Sequence, residues 1–554
     1  MMKKKVIFWI FFVLIGSSLY ATDHSGYIDS DETWMPEDNP HVIIDWVAVN
    51  DGIVLTILPG CIVTFDAGTH LDIRGHLVSE GTVTDPIQYT SNSSSPVAGV
   101  WDGVQFETSS TGGSLTHCLF EYGGDEYGMI LIQCDDVSIF DCDFSESSNY
   151  FVEVWFSKTV IIERCSFDGC PTYPVSVSMG TVHNLKNNTF SNNTNNAIEV
   201  KSGTLPGTRG YRWVNQGVPY AITAWVNIDP GAVLNLDPGC IIKFGGDEFI
   251  HVHGTINSVG TQSMPIVFTS LKDDTYGGDT NGDVDMSIPQ PGDWRYINFW
   301  ADAATPGSFK NTIFRYGGAF SGGVDEGMLV FHKYPAEIVG CTFEYAQEAA
   351  IRYDWTQFPG EILYCNFNEN YMAVDYNSGI DPGNWINAPY NWWGHDTGPY
   401  DPSSADGYSN PDGLGDRVTD YVKYWPMLIQ PYDPNPGGTL GVTLIMPQTM
   451  YTAGDTFYLD AVVNNPTQTE YDPVYLFVIL DVYATYFFAP GFSMNLDYYT
   501  TSAYSGAYQI SILPRFTWPS NAGNADNIRF YGAMTDPEIS HIIGDYDVAT
   551  FGWQ

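Results

Sequence analysis

Basic residues are scarce in this chain. Its 554 residues hold 21 Lys and Arg against 65 Asp and Glu, a formal net charge of −44 at pH 7. A field of that sign repels phosphate backbones and argues against a nucleic-acid partner. Long apolar runs are absent too: the longest, residues 6–15, is too short to cross a bilayer. No stretch repeats apolar residues at i, i+3 and i+4 over a dozen positions, which removes helical bundles and helical solenoids from consideration.

What is present points to strands. Hydrophobic residues make up 44% and aromatics 15%, too much for a disordered acidic chain. The 55 Gly and 33 Pro, with abundant Tyr, Trp, Val and Ile, supply turns and pleated surface. The basic head Lys3-Lys4-Lys5, the short apolar run and the small residues up to Ala21 predict a signal peptide over 1–21. The mature chain is then expected outside the cell, secreted or on the surface, with no transmembrane segment.

The stretch 34–91 recurs without a gap at 213–270, with 21 of 58 positions identical, among them Trp34/Trp213, Trp46/Trp225, Cys61/Cys240 and Gly81/Gly260. The match resumes at Trp101/Trp294 and at the Tyr-Gly-Gly of 122–124 and 316–318. Within each half a shorter period appears. Phe120, Phe144, Phe167 and Phe190 are spaced by 24, 23 and 23 residues, and Phe343 and Phe367 by 24. A unit of that size cannot bury its own apolar face, so neighbours must stack into a solenoid. Runs such as 137–140, 159–162 and 197–200 are short enough for three strands per turn. The expected fold is all-β: an internally duplicated right-handed parallel β-helix, followed by a small C-terminal β-sandwich.

Nine cysteines in an exported chain ordinarily suggest disulfides. Here Cys118, Cys142 and Cys165 keep the phenylalanine period, as do Cys341 and Cys365. Stacked in one interior column they would be small buried hydrophobes, and bridging is the alternative.

The motif Gly52-Ile-Val-Leu-Thr-Ile-Leu-Pro-Gly60, repeated over 231–239, resembles the opening coils of secreted bacterial right-handed parallel β-helix proteins of the pectate-lyase-like superfold. Ala388-Pro-Tyr-Asn-Trp-Trp-Gly-His-Asp-Thr-Gly-Pro399 is similar to the last coil of that family. The resemblance covers about 34–430 and implies a first helix half over 22–209 and a second with its cap over 210–430; Pro and Gly content marks a linker at 431–438, and longer alternating runs beyond it a sandwich at 439–554. It carries little about activity, because one scaffold hosts lyases, hydrolases and adhesins. The calcium-dependent lyases of this fold use clustered acidic ligands with an Arg or Lys base, and the hydrolases several Asp with Gly-His-Gly; neither motif occurs here. Arg74, Arg164, Arg212, Arg295, Arg315 and Arg352 do not cluster in sequence.

The strongest local pattern is Asp279-Thr-Asn281-Gly-Asp283-Val-Asp285, which places oxygen ligands at alternate positions of a turning loop, as Ca²⁺ requires. Val284 stands where such loops carry glycine, and Gln290 where they end on an acid. The alternative is a solvated acidic loop. Asp412 and Asp416 form a weaker second candidate. The acids Asp135, Asp136, Asp141 and Asp143, and the pair His251 and His253, suit surface turns and strands as well as a site. Trp101, Trp155, Trp294, Trp300, Trp355, Trp392 and Trp393 could be sugar platforms or packing. No catalytic residue is assigned. The expected role is binding of polysaccharide or another cell surface without catalysis; the alternative is a polysaccharide lyase or glycoside hydrolase acting on an acidic polysaccharide.

Overall fold

The computed structural model describes residues 21–554 except 156, 158, 208, 262, 285, 321, 323–325, 355–359, 378–384, 434–437, 468, 505 and 521–522. The predicted signal peptide up to residue 20, Trp355 and Asp285 therefore lie outside the described residues. Two compact units are present: residues up to Val175 with Asn184–Asn193, and Ser176–His183 with Thr194–Gln554.

In the first unit the chain winds through three ladders of short parallel strands. One runs Ile62–Phe65, Ile87–Ser91, Cys118–Glu121, Asp143–Ser145, Ser166–Asp168 and Thr189–Ser191. A second runs His70–Ile73, Gly103–Phe106, Ile130–Ile132 and Val152–Val154. The third comprises seven strands, from Glu32–Trp34 to Leu185–Lys186. Each strand is only a few residues long because turn residues recur on every circuit, so each backbone group finds its partner one coil away. A strand that returns parallel to itself in one sheet does so by a right-handed crossover.

Coil-to-coil register brings like side chains together. Tyr89, Phe120, Phe144, Phe167 and Phe190 stack at 4.5, 4.9, 5.0 and 5.3 Å between ring centroids. All nine cysteines are buried and free. Cys142 Sγ accepts the Cys118 backbone N–H at 3.4 Å, and the column ends where Asn188 Oδ1 accepts the Cys165 N–H at 3.0 Å. The thiol column thus serves corner amides that a methyl group could not.

The second unit repeats this plan. Phe268, Phe314, Phe343, Phe367 and Trp393 stack at 5.1, 5.0, 5.2 and 4.9 Å. Cys341 and Cys365 repeat the amide–sulfur contact, and Asn391 again closes the column. The shared Tyr-Gly-Gly has a steric cause: a Cβ on Gly123 would lie 2.7 Å from the Trp101 ring, and one on Gly317 2.3 Å from the Trp294 ring.

Beyond residue 438 the strands lengthen and turn antiparallel. Gly441–Ile445, Thr456–Asn465 and Gly506–Thr517 make one layer, and Tyr471–Val482, Thr485–Phe488, Ala525–Thr535 and Ile542–Trp553 the other. A single parallel pair, Gly441 with Asp545, joins the two layers, so this region is one curled sheet closing on its own core. Leu459, Val463, Leu476, Val478, Ile510 and Phe530 fill that core. Tyr364 and Tyr390 sit at left-handed corners of the last coils, with φ of 55° and 58°, and extend into the same cluster.

Candidate functional site

The acidic loop folds around its own carboxylates. Asp279 accepts backbone N–H groups of Asn281, Gly282 and Val284 at 3.2, 2.7 and 2.9 Å. Burial pushes its carboxyl upward, but those amides outweigh it and hold the pKa below the ordinary value. Asp283 accepts the Asn281 side-chain amide and the backbone N–H of Met286 and Ser287. Val284 takes φ +54°, the left-handed turn for which glycine is usual. Asn281 Oδ1 is buried without a partner, while Asp285 lies outside the described residues. Among the described residues no three His, Cys, Asp or Glu side chains converge on a metal position. The loop does supply oxygens of Asp279, Asn281 and Asp283 within one turn.

The segment bearing that loop is fastened to the outer face of its sheet by buried charge. Lys243 Nζ donates to the Gly278 carbonyl at 2.6 Å, and burial lowers its pKa to about 8 against the pull of Asp274, Asp273 and Asp279. Arg315 holds Asp273 at 2.9 Å and Glu344 at 2.9 Å, and Thr269 donates to the same Asp273 at 2.6 Å. Lys243, being fully buried, anchors the loop and cannot touch a substrate.

A richer constellation lies on another ladder of the second unit. Strands Val226–Ile228, Ile250–Val252, Ile297–Phe299, Gly327–Phe331, Ala349–Asp354 and Met372–Asn377 stack in parallel register. Alternation sends Ile250, Ile297, Leu329, Ile351 and Val374 inward. It sends Asn227, His251, Asn298, Val330, Arg352 and Asp375 outward in one column. Beside them a second column holds His253, Trp300, His332 and Asp354. The Trp300 ring lies stacked between His253, 5.9 Å away with its plane nearly parallel, and His332 at 5.1 Å. Tyr296 stacks on His251 at 5.8 Å.

Asn298 is 0% exposed, and neither its Oδ1 nor its Nδ2 has a hydrogen-bond partner. Trp300 Nε1 is buried and unpartnered as well. A lost partner for a buried polar group costs about 1–3 kcal/mol, so these atoms carry a local cost within the ladder. At the next coils Arg352 reaches Asp354 at 3.1 Å and Asp375 at 2.9 Å. Burial raises the Asp375 and Glu348 carboxyls above their ordinary values, Arg352 opposing and Glu326 reinforcing the shift. One guanidinium is thus shared between the Asp354 and Asp375 carboxylates.

The corresponding ladder of the first unit differs outside and not inside. Leu71, Val104, Ile130 and Val152 face the interior there, where the second unit has Ile250, Ile297, Leu329 and Ile351. Outward stand Asp72, Gln105, Leu131 and Glu153, against His251, Asn298, Val330 and Arg352. Asp72 lies 3.7 Å from both His70 and Arg74. Duplication kept the stacking and let this face diverge, which separates structural from functional positions.

The remaining sequence candidates are occupied otherwise. Asp141 takes both Nε and Nη2 of Arg164 at 2.8 Å, and Asp135 accepts the Ser157 hydroxyl. Trp101, Trp294 and Trp393 are fully buried packing residues. Asp416 accepts the backbone and side-chain N–H of Asn370, and burial lifts its carboxyl to about 6. The sequence singles out His251 as a pair with His253, Trp300 among the tryptophans and Arg352 among the arginines, and gives no mark to Tyr296, Asn298, His332, Asp354 and Asp375. Their only sequence signal is their place one residue from an inward apolar position on successive coils, which needs the register to be read.

Comparison with known proteins agrees with this architecture. The family described as right handed beta helix region matches residues 87–217. With the stacked parallel ladders, this match gives the chain the fold of a right-handed parallel β-helix. No curated protein matches the β-helix chain. Among solved structures it is similar to a mutant tailspike protein of E. coli bacteriophage HK620, at 10% identity and a TM-score of 0.18, covering 92% of this chain and 86% of that one. No helix of the described residues in the β-helix protein is long and apolar enough to cross a membrane.

Proposed function

We propose that this β-helix protein is exported to the cell surface or beyond and binds polysaccharide along the outer face carrying Asn298, without turning it over. The observation that carries the reading is the partly exposed ring column His253–Trp300–His332, on the same ladder as the buried Asn298 amide. Sugars offer C–H faces to such rings. With a net charge of −44, the protein favours neutral or cationic glycans unless a divalent ion intervenes. Titration against a glycan panel tests this. One glycan should bind, and Trp300→Ala should weaken it at least tenfold while the melting temperature holds; unchanged affinity would sink the reading.

Ca²⁺ is proposed for the loop of Asp279, Asn281, Asp283 and Asp285. The unpartnered Asn281 Oδ1 beside two carboxylates supports it, and a bound ion would neutralise oxygens that the loop amides already orient. Calcium should raise the melting temperature of the parent, and the double change Asp279→Ala with Asp283→Ala should abolish the rise.

Glycoside hydrolysis is the second reading, favoured by Asp354 and Asp375 gathered on Arg352 with the Asp375 carboxyl raised. Release of reducing ends, lost in Asp375→Asn, would establish it over simple binding.

A further inference from the structure

The end of the second unit holds a cavity of about 200 Å³, lined from the terminal coil by Asp396, Thr397, Trp425, Met427 and Ile429, and from the curled sheet by Asp460, Ser511, Pro514 and Arg515. Asp460 lies on the strand Thr456–Asn465, whose Phe457, Leu459, Ala461 and Val463 turn into the sheet's own core. Strand alternation therefore aims Asp460 the opposite way, into the cavity. It is 2% exposed.

The charges facing this space do not balance. Arg515 Nη1 pairs with Asp396 at 3.0 Å, and its guanidinium covers the Tyr458 ring at 5.2 Å. That pair is neutral overall. Asp460 has only neutral hydrogen-bond donors among the described residues, the Gln509 amide at 3.2 Å and the Ser511 hydroxyl. The other walls are Trp425, Met427, Ile429 and Pro514, apolar side chains that solvate a carboxylate poorly. Burial lifts the Asp460 carboxyl to about 6, Arg515 opposing and Asp396 reinforcing the shift, so at neutral pH it is chiefly a carboxylate in an apolar cup.

We propose that this cavity binds a primary alkylammonium group, its charge on Asp460 and its methylene stem against Trp425, Met427 and Ile429. A cation there completes an ion pair that the protein leaves half-made, and an apolar stem fills space that water uses badly. Divalent ions suit the cavity less, because Arg515 already pairs with Asp396, which leaves Asp460 as the carboxylate without a close cation among the described residues, and the walls supply few oxygens. The proposal is independent of the glycan-binding face, which lies on other strands. Two sources carry this chemistry: a free amine, or a lysine side chain of a peptide.

Calorimetric titration of the full chain with n-butylamine, and separately with an Nα-acetyl-lysine-amide peptide, distinguishes them. n-Butanol, the neutral near-isostere, should bind at least tenfold more weakly than n-butylamine. Asp460→Asn should abolish the preference without lowering the melting temperature, because it removes a buried charge. Met427→Trp, which fills the cavity and keeps Asp460, should block the amine equally. Peptide binding without butylamine binding would assign the lysine source, and the reverse the free amine. Equal affinity for amine and alcohol, or amine binding that survives both variants, would overturn the proposal.

Discussion

The Tyr364 hydroxyl donates to the Ser502 carbonyl at 3.1 Å and accepts the Ser502 backbone N–H at 3.3 Å, tying a corner of the coil to the curled sheet. Thr501 Oγ1 lies 2.9 Å from the same oxygen, and the neighbouring Tyr390 hydroxyl donates to the Thr500 carbonyl. Asn366 adds a reciprocal pair with the backbone of Tyr432. The curled sheet is therefore docked on the coils through buried, fully directed hydrogen bonds. Tyr364→Phe should cost about 1–3 kcal/mol, since it orphans the groups that Tyr364 serves without opening a cavity. Chemical denaturation of parent and variant measures it, and an unchanged midpoint would show the docking to be apolar alone.

The aromatic column should be the most sensitive part of the first unit. Phe167 is buried between Phe144 and Phe190, and Phe167→Ala leaves a void that stacked backbones on both sides prevent from collapsing. A loss of about 3–5 kcal/mol is expected. Phe167→Leu, which keeps most of the volume, should cost markedly less in the same denaturation series.

Removing Arg315 should harm the protein more than removing an exposed cation. Asp273 is 1% exposed and would keep neutral donors alone, the Thr269 hydroxyl and the Thr275 backbone N–H. Arg315→Met should destabilise by about 3–5 kcal/mol, through the stranded carboxylate rather than lost packing. Restoring most of that stability with the second change Asp273→Asn would confirm the cause; no rescue would refute it.

Acid should act on the first unit through His24. Its Nε2 lies 3.0 Å from His41 Nδ1, His41 Nε2 reaches the Met35 carbonyl at 2.9 Å, and the Trp34 ring stacks on His24 at 4.2 Å. Burial, then His41, lowers the His24 pKa to about 4, against the attraction of Glu32 and Asp23. The folded state therefore binds fewer protons than the unfolded chain, whose histidine titrates near 6.5. Its contribution is fully present above pH 6.5 and is lost as pH falls from there toward 4. Thermal melts across that window should show a shallower loss in His24→Gln than in the parent; parallel curves would clear His24 of the effect.

Much of this molecule was readable before any coordinates, and for one reason. Stacked coils demand that position n resemble position n plus one circuit, so Phe120, Phe144, Phe167 and Phe190 advertise their contact through spacing alone. The same demand exposed the cysteine column and the duplication of Trp101 as Trp294. Outward residues carry no such constraint. His251, Asn298 and Arg352 lie 47 and 54 residues apart, and only the register of four strands, with Val330 between Asn298 and Arg352, puts them in one column. Sequence by itself therefore determined the all-β solenoid, its duplication and its interior. Tertiary structure alone decided which polar groups were left buried and unpartnered, because burial is a property of what surrounds a residue and not of the residue itself.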